Sequence, residues 1–384
     1  MGNESTELAE RPSHVSPDRT CSYTSSETNL WTVDPDGDLG LQVGQITCVN
    51  ISPSDGGQDH EHELPVVFIV CSRALSRASR VWRTLLYGGF AESKPSFASS
   101  ASDWVVKLPE DDPRAMGFIL DIIHSRFESL PRINESIDTE FLYQLTVLTD
   151  KYDLTAIVRP WASTWMGFIE NTYGSVSTAP EAERLLWVAW VMGDFNLYKR
   201  AFQCLALNCH VDANGNLQYF IRDEAVPLFG STLEPPGLHE LLKRSRWDGI
   251  TAMLNIYKAA TNTLIYSPPA SKPTTVCGQK SGNSACEAAV LGTMIKSLAS
   301  YQYWPLPEAS HVRTCFSSTK HTLSHINIKS PVHSDCTGIK GRDLTSLRNR
   351  MIKVDIPSSI AERMAKQAEK SGLWTEPYSL DGCL

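Results

Sequence analysis

Pro65-Val66-Val67-Phe68-Ile69-Val70-Cys71-Ser72-Arg73-Ala74-Leu75 passes from a strand to a helix within eleven residues, and the fold is read outward from it. The run from Pro65 to Val70 is apolar on both faces, so it belongs well inside a sheet. Ser72 then suits an N-cap, and Leu75, Ala78, Trp82, Leu85 and Leu86 follow helical spacing. Ser76 or Ser79 divides this stretch into two short helices. Gly88-Gly89 closes it, because glycine tolerates the left-handed turn that ends a helix.

Upstream, Leu39, Leu41 and Val43 alternate with smaller or polar neighbours, as in a half-buried strand. A polar interruption covers residues 51–64. Downstream, a loop through residues 93–102 leads to a third strand at Trp104-Val105-Val106-Lys107-Leu108. Asp112-Pro113 is a strong helix start, a capping carboxylate followed by proline at the first helical position. Met116, Ile119, Leu120 and Ile123 then form one buried stripe. Phe141, Leu145 and Leu148 mark a further helix ending near Asp150, and another covers Leu154–Glu170, where Pro160 kinks or restarts it. The expectation is an α+β domain over residues 36–156, a three-stranded sheet packed on a helical cluster.

A helical region is expected over 157–266, a linker rich in Pro, Ser, Gly and Thr over 267–284, and a helical C-terminal region over 285–384. In that last region Leu291, Ile295 and Leu298 mark a helix stopped by Trp304-Pro305, and Ile360, Met364 and Ala368 mark another. Residues 1–35 hold 11 Ser or Thr and few large apolar side chains, so a disordered tail is expected. Gly2 with Thr6 fits the N-myristoylation pattern, but Glu4, Glu7 and Glu10 give no basic support to an anchor.

The chain has 384 residues, 42% hydrophobic and 20% charged, which excludes a wholly disordered chain, a collagen repeat and a coiled coil as the main architecture. Lys+Arg 35 against Asp+Glu 43 leaves a net charge of −8, which argues against nucleic acid as the main partner. No apolar run approaches the roughly 20 residues that span a bilayer, so no membrane is expected. Ten scattered cysteines point to a reducing intracellular compartment, cytoplasm or nucleus alike.

Six ordered pieces then resemble one family. They are Asp36-Gly37-Asp38-Leu39, Phe68-Ile69-Val70-Cys71-Ser72 with Leu75 and Ser79, Gly88-Gly89-Phe90-Ala91-Glu92-Ser93, Leu108-Pro109-Glu110-Asp111-Asp112-Pro113, Ile122-Ile123-His124 and Asp150-Lys151-Tyr152-Asp153-Leu154. Together they look like the BTB/POZ domain in the version abundant among fungal BTB proteins. The following stretch to about residue 265 is similar to that family too, as are Cys286, Val290-Leu291-Gly292, Leu298 and Trp304-Pro305. Cys71 stands where the family usually has His, Trp82 where it has Phe, and the 51–64 insertion is longer than the usual hairpin connection.

The resemblance implies a non-enzymatic protein–protein interaction module that self-associates or binds other proteins. It also implies that Phe90 and Glu92 match the hydrophobic-x-Glu element by which BTB adaptors hold a cullin scaffold. The chain would then be a substrate adaptor of a cullin-type ubiquitin ligase, with the helical C-terminal part holding the substrate. The alternatives are a BTB scaffold or transcriptional cofactor with no ligase role and, in another class, an enzyme with its site in 160–384.

The remaining motifs read as structure. Asp38, Ser72, Asp112, Pro113, Asp150, Lys151 and Tyr152 are structural motif residues, with the charges of Asp150–Leu154 at a helix junction suited to capping and ion pairing rather than acid–base chemistry and Asp112 capping before Pro113. Phe90 is either an exposed interface anchor or packed inward beside a solvated Glu92. Cys277, Cys286, Cys315 and Cys336 lie among His311, His321, His325 and His333, but no CxxC pair occurs and the spacings are irregular for zinc. His60-Glu61-His62-Glu63 lacks the second His of a metalloprotease helix, Val66 standing there. Phosphate-loop, nucleophile-elbow and kinase signatures are absent. No cofactor or metal is expected.

Overall fold

The computed structural model describes residues 29–45, 65–98, 100–130, 137–172, 178–266, 284–326, 328, 330 and 356–373. They form an α+β structure, mostly helical, with two small sheets.

The first sheet has four strands, β1 (Asn29–Thr32), β2 (Leu39–Val43), β3 (Val66–Val70) and β4 (Val105–Leu108), in the order β1-β3-β2-β4. The apolar run at 66–70 therefore lies inside the sheet, antiparallel to β2 with Leu41 opposite Phe68. β2 also pairs parallel to β4, Val43 opposite Leu108. Leu39, Leu41, Val43, Phe68, Val70 and Val106 face the core.

The expectation of three strands is corrected by β1, which pairs parallel to β3. The expected disordered tail over 1–35 is corrected with it at Asn29–Thr32; residues 1–28 lie outside the described residues. Backbone pairing rather than burial holds β1, since all four of its side chains are exposed. Arg126 fixes its end, Nη1 donating to the carbonyls of Thr32 (2.9 Å) and Val33 (3.1 Å).

Two short helices follow β3, α1 (Ser72–Ala78) and α2 (Arg80–Tyr87). Ser79 makes the break: its backbone is extended, and its Oγ accepts from the amides of Val81 and Trp82 at 3.0 and 3.2 Å. Ser72 is not the N-cap expected of it. Cys71 holds that position without a side-chain cap, and Ser72 is the first helical residue. α3 (Pro113–Ile123) starts as expected, Asp112 Oδ1 accepting from the Ala115 amide at 2.7 Å. α4 (Thr139–Lys151) is capped by Asp138. After a 3-10 turn, Pro160 falls in the first turn of α5 (Arg159–Thr172), where its missing N–H has no intrahelical partner to lose.

α5 packs on the first module through an aromatic cluster. Phe118 of α3 meets Phe141, Trp161 and Trp165 at ring-centroid distances of 5.7, 5.9 and 5.8 Å. Beyond lie α6 (Ala179–Met192), α7 (Phe195–Asn208), α8 (Leu238–Ile265), α9 (Ser284–Ser300), α10 (Phe316–Ser324) and α11 (Ser358–Ser371). The purely helical reading of 157–266 is corrected by a second sheet, β5 (His210–Val211), β6 (Leu217–Ile221) and β7 (Glu224–Pro227). Arg222 and Asp223, both at positive φ, turn β6 into β7.

Glu183 of α6 carries this sheet region. It is 1% exposed, and Oε1 accepts from the Phe229 amide at 2.6 Å while Tyr219 and Thr232 hydroxyls stand 3.4 Å from Oε2. Burial pushes its carboxyl above the usual carboxylate range, outweighing those donors. A raised native pKa means that the folded state holds the proton more tightly than the unfolded one. Stability should therefore decline as pH rises from the usual carboxylate range through the raised value. Glu183→Gln is expected to flatten that decline. Urea unfolding of both proteins from about pH 4, where an unperturbed carboxyl titrates, upward to neutrality checks it, and an unchanged slope in the variant contradicts it.

Candidate docking loop and its polar support

The loop after α2 is built around Ser93. Its Oγ accepts from the amides of Gly89 and Phe90 and donates to the Leu85 carbonyl, each at 3.0 Å. Its amide returns to the Phe90 carbonyl at 3.0 Å, and the Lys94 amide reaches the Leu86 carbonyl at 3.0 Å. Trp104 Nε1 donates to the Glu92 carbonyl at 2.9 Å, tying the loop to the residue before β4. This web fixes the loop backbone while leaving two side chains outside. Phe90 is 56% exposed and Glu92 is exposed as well. The inward-packed alternative for Phe90 is thereby corrected: the backbone, not the ring, is anchored. Phe97 is exposed on the same connection.

Asp38 and Ser72 join this loop to the sheet. The Ser72 amide and hydroxyl each bond the Asp38 carboxylate at 2.9 Å, and Lys94 Nζ stands 2.8 Å from Asp38 Oδ2. Burial raises the Asp38 pKa, but bonds from Lys94 and Ser72 outweigh it and hold the carboxyl below its usual range. Ser72 Oγ also shares a 2.5 Å bond with the Tyr87 hydroxyl. The hydroxyl that sequence assigns to helix capping is thus committed to a residue 34 positions away.

A second network lies behind α2. Asp111, 4% exposed, accepts from Tyr152 Oη at 2.5 Å and pairs with Lys151 Nζ at 2.6 Å. Burial, and then the bond to Asp111, push the Tyr152 phenol well above its usual pKa. The Tyr152 ring stacks on Trp82 at 4.4 Å, and its carbonyl accepts from Ser79 Oγ at 2.6 Å. Asp150 stands apart, on the wall of a cavity of about 370 Å³ with Trp187, Trp190, Glu234 and α11. Both oxygens of the Asp111 carboxylate are thus engaged, one by Lys151 and the other by Tyr152.

Sequence reasoning missed Ser93, Tyr87 and Lys94 as the loop's pins; Ser-Lys after a Gly-Gly turn carries no distinctive signal. The Cys71 amide donates to His124 Nε2 at 3.1 Å. Of the Cys/His group, Cys286 and Cys315 are buried and His311, His321 and His325 exposed, while Cys277, His333 and Cys336 lie outside the described residues, as do Gly2 and His60–Glu63. Among the described residues no group of three or more His, Cys, Asp or Glu is placed to hold a metal ion. None of their helices is long and apolar enough to cross a membrane.

No family model matches the chain, and no curated protein matches it.

Proposed function

We propose that residues 36–156 are a BTB/POZ-like docking module and that the chain is a non-enzymatic intracellular protein that binds other proteins. In this reading the 88–93 loop engages a cullin-type scaffold, and the helical region beyond residue 156 holds the substrate of the ligase. The observation that carries it is an aromatic side chain, Phe90, held 56% exposed by a hydrogen-bonded loop, with the exposed carboxylate of Glu92 two residues on. Exposing a large ring on a fixed backbone lowers the ordering cost of binding and suits an interface anchor beside a rim charge. Phe90→Ala is expected to weaken cullin capture about tenfold or more, and Glu92→Ala by less, with thermal unfolding of both variants unchanged. Pull-down with purified cullin tests it, and undiminished capture by both variants sinks the ligase reading.

The reading as a BTB scaffold that self-associates is favoured by a separate observation. β1 carries Leu30 at 66% and Trp31 at 52% exposure on the edge of the sheet. Such an edge is a ready surface for a second copy. Light scattering of the full chain at micromolar concentration is expected to give a dimer that Leu30→Ser with Trp31→Ser converts to monomer. A wild-type monomer there is the contrary result.

A further inference from the structure

The hairpin that leads into the loop is oppositely charged to the protein as a whole. From Ser72 to Ser93 there are four arginines, Arg73, Arg77, Arg80 and Arg83, against a single acid, Glu92, in a chain of net charge −8. All four arginines are exposed. Two of them, Arg73 and Arg83, reach across between α1 and α2. The Arg73 guanidinium lies 4.5 Å from the Tyr87 ring centroid, and Arg83 Nε donates to the Ser76 carbonyl at 3.2 Å. Thr84 Oγ1 bonds the Arg80 carbonyl one turn back. Tyr87 then runs directly into the loop that carries Phe90. Only Arg80 has an ion pair, with Asp153 at 3.2 Å; among the described residues Arg73, Arg77 and Arg83 have none.

We infer that the α1–α2 hairpin and Phe90 form one docking face for an acidic protein segment with an apolar anchor. The inference rests on the reading of the 88–93 loop as a docking element and adds the chemistry of its partner. An exposed ring on the loop that directly follows a hairpin with four exposed guanidinium groups has the composition of a protein interface, aromatic residues together with Arg. Carboxylates are the groups that a planar guanidinium bonds in pairs. A single-stranded nucleic acid would use the same cations and stack its bases on Phe90, so a competing oligonucleotide is one arm of the test. The rim charges act on encounter and orientation, so their effect is screened by salt, whereas that of Phe90 is not.

The test selects a phage-displayed random dodecapeptide library on the full chain and measures the chosen peptides by fluorescence polarisation. Enrichment of Asp/Glu-rich sequences containing Leu, Phe or Trp is expected. Phe90→Ala should weaken them about tenfold or more at any salt concentration. Arg77→Gln with Arg83→Gln should weaken them about three- to tenfold at 50 mM salt and little at 500 mM. Arg77→Lys with Arg83→Lys, which keeps both charges but not the paired geometry, should restore the salt-screened part of the binding lost in the glutamine pair, which shows that the glutamine pair has not merely unfolded the hairpin.

Peptides that depend on Phe90 but are indifferent to the glutamine pair keep the docking reading and overturn this inference. A selection that yields no peptide, or only peptides indifferent to Phe90→Ala, overturns both. Enrichment without acidic residues, or displacement of the peptides by a single-stranded dT oligonucleotide, overturns it as well.

Discussion

Trp82→Ala is expected to lower the free energy of unfolding by about 3–5 kcal/mol, among the largest losses available to a single side chain here. Trp82 is fully buried, and its indole stacks on Tyr152 with the planes 13° apart. Tyr152 is in turn bound through its hydroxyl to Asp111 and through its carbonyl to Ser79, the cap of the helix that carries Trp82. Removing the indole leaves a cavity between three elements that hydrogen bonds keep from collapsing into it, the condition under which truncation costs most. Trp82→Phe should cost far less, about 1 kcal/mol, because it keeps the stack and removes an indole Nε1 that has no hydrogen-bond partner. Urea unfolding of the three proteins at equal denaturant slope measures both differences. A loss below about 1 kcal/mol for the alanine variant would show that this corner is not packed as described.

What was legible in the sequence is what local chemistry alone determines. Asp112-Pro113 begins α3 because a cap and its helix are neighbours, and Val66–Val70 is an inner strand because its own side chains are apolar on both sides. What was missed depends on distant partners. Ser72 has the chemistry of a cap, but Asp38 claims its hydroxyl. β1 has no periodicity of burial to read, since its place is set by backbone pairing and by Arg126, 94 positions along. β6 begins with the expected alternation at Leu217 and Tyr219, then exposes Phe220 and Ile221 together, which erases the period of two. The loop divides in the same way. Phe90 and Glu92 could be singled out by type, but whether the ring pointed in or out was decided by Ser93, Leu85 and Trp104 together.

The same dependence on distant partners makes Gly193 the other severe position, with Gly193→Val expected to cost about 2–5 kcal/mol. Gly193 ends α6 in the left-handed region, φ +80°, where a β-branched residue is strained. α11 also approaches closely here: a Cβ at Gly193 would overlap the Ala368 amide nitrogen and the Met364 carbonyl oxygen. Neither backbone atom can turn aside, so α11 has to lift. Lifting it would expose Ile360, Met364 and Ala368 and break Ser371 Oγ from the Met192 carbonyl at 2.6 Å and Arg159 Nε from the Lys370 carbonyl at 3.2 Å. Gly215→Val separates the two causes, because Gly215 also has positive φ, +86°, but nothing stands within 4 Å of its Cβ position. It should cost only the backbone strain, about 1–2 kcal/mol. Limited proteolysis adds a direct readout: cleavage within 358–371 is expected to speed up in the Gly193 variant and to stay at the wild-type rate in the Gly215 variant. Equal losses of stability with α11 equally protected in both would mean that the close approach to α6 contributes nothing, and the C-terminal helix would then be held by its side-chain contacts alone.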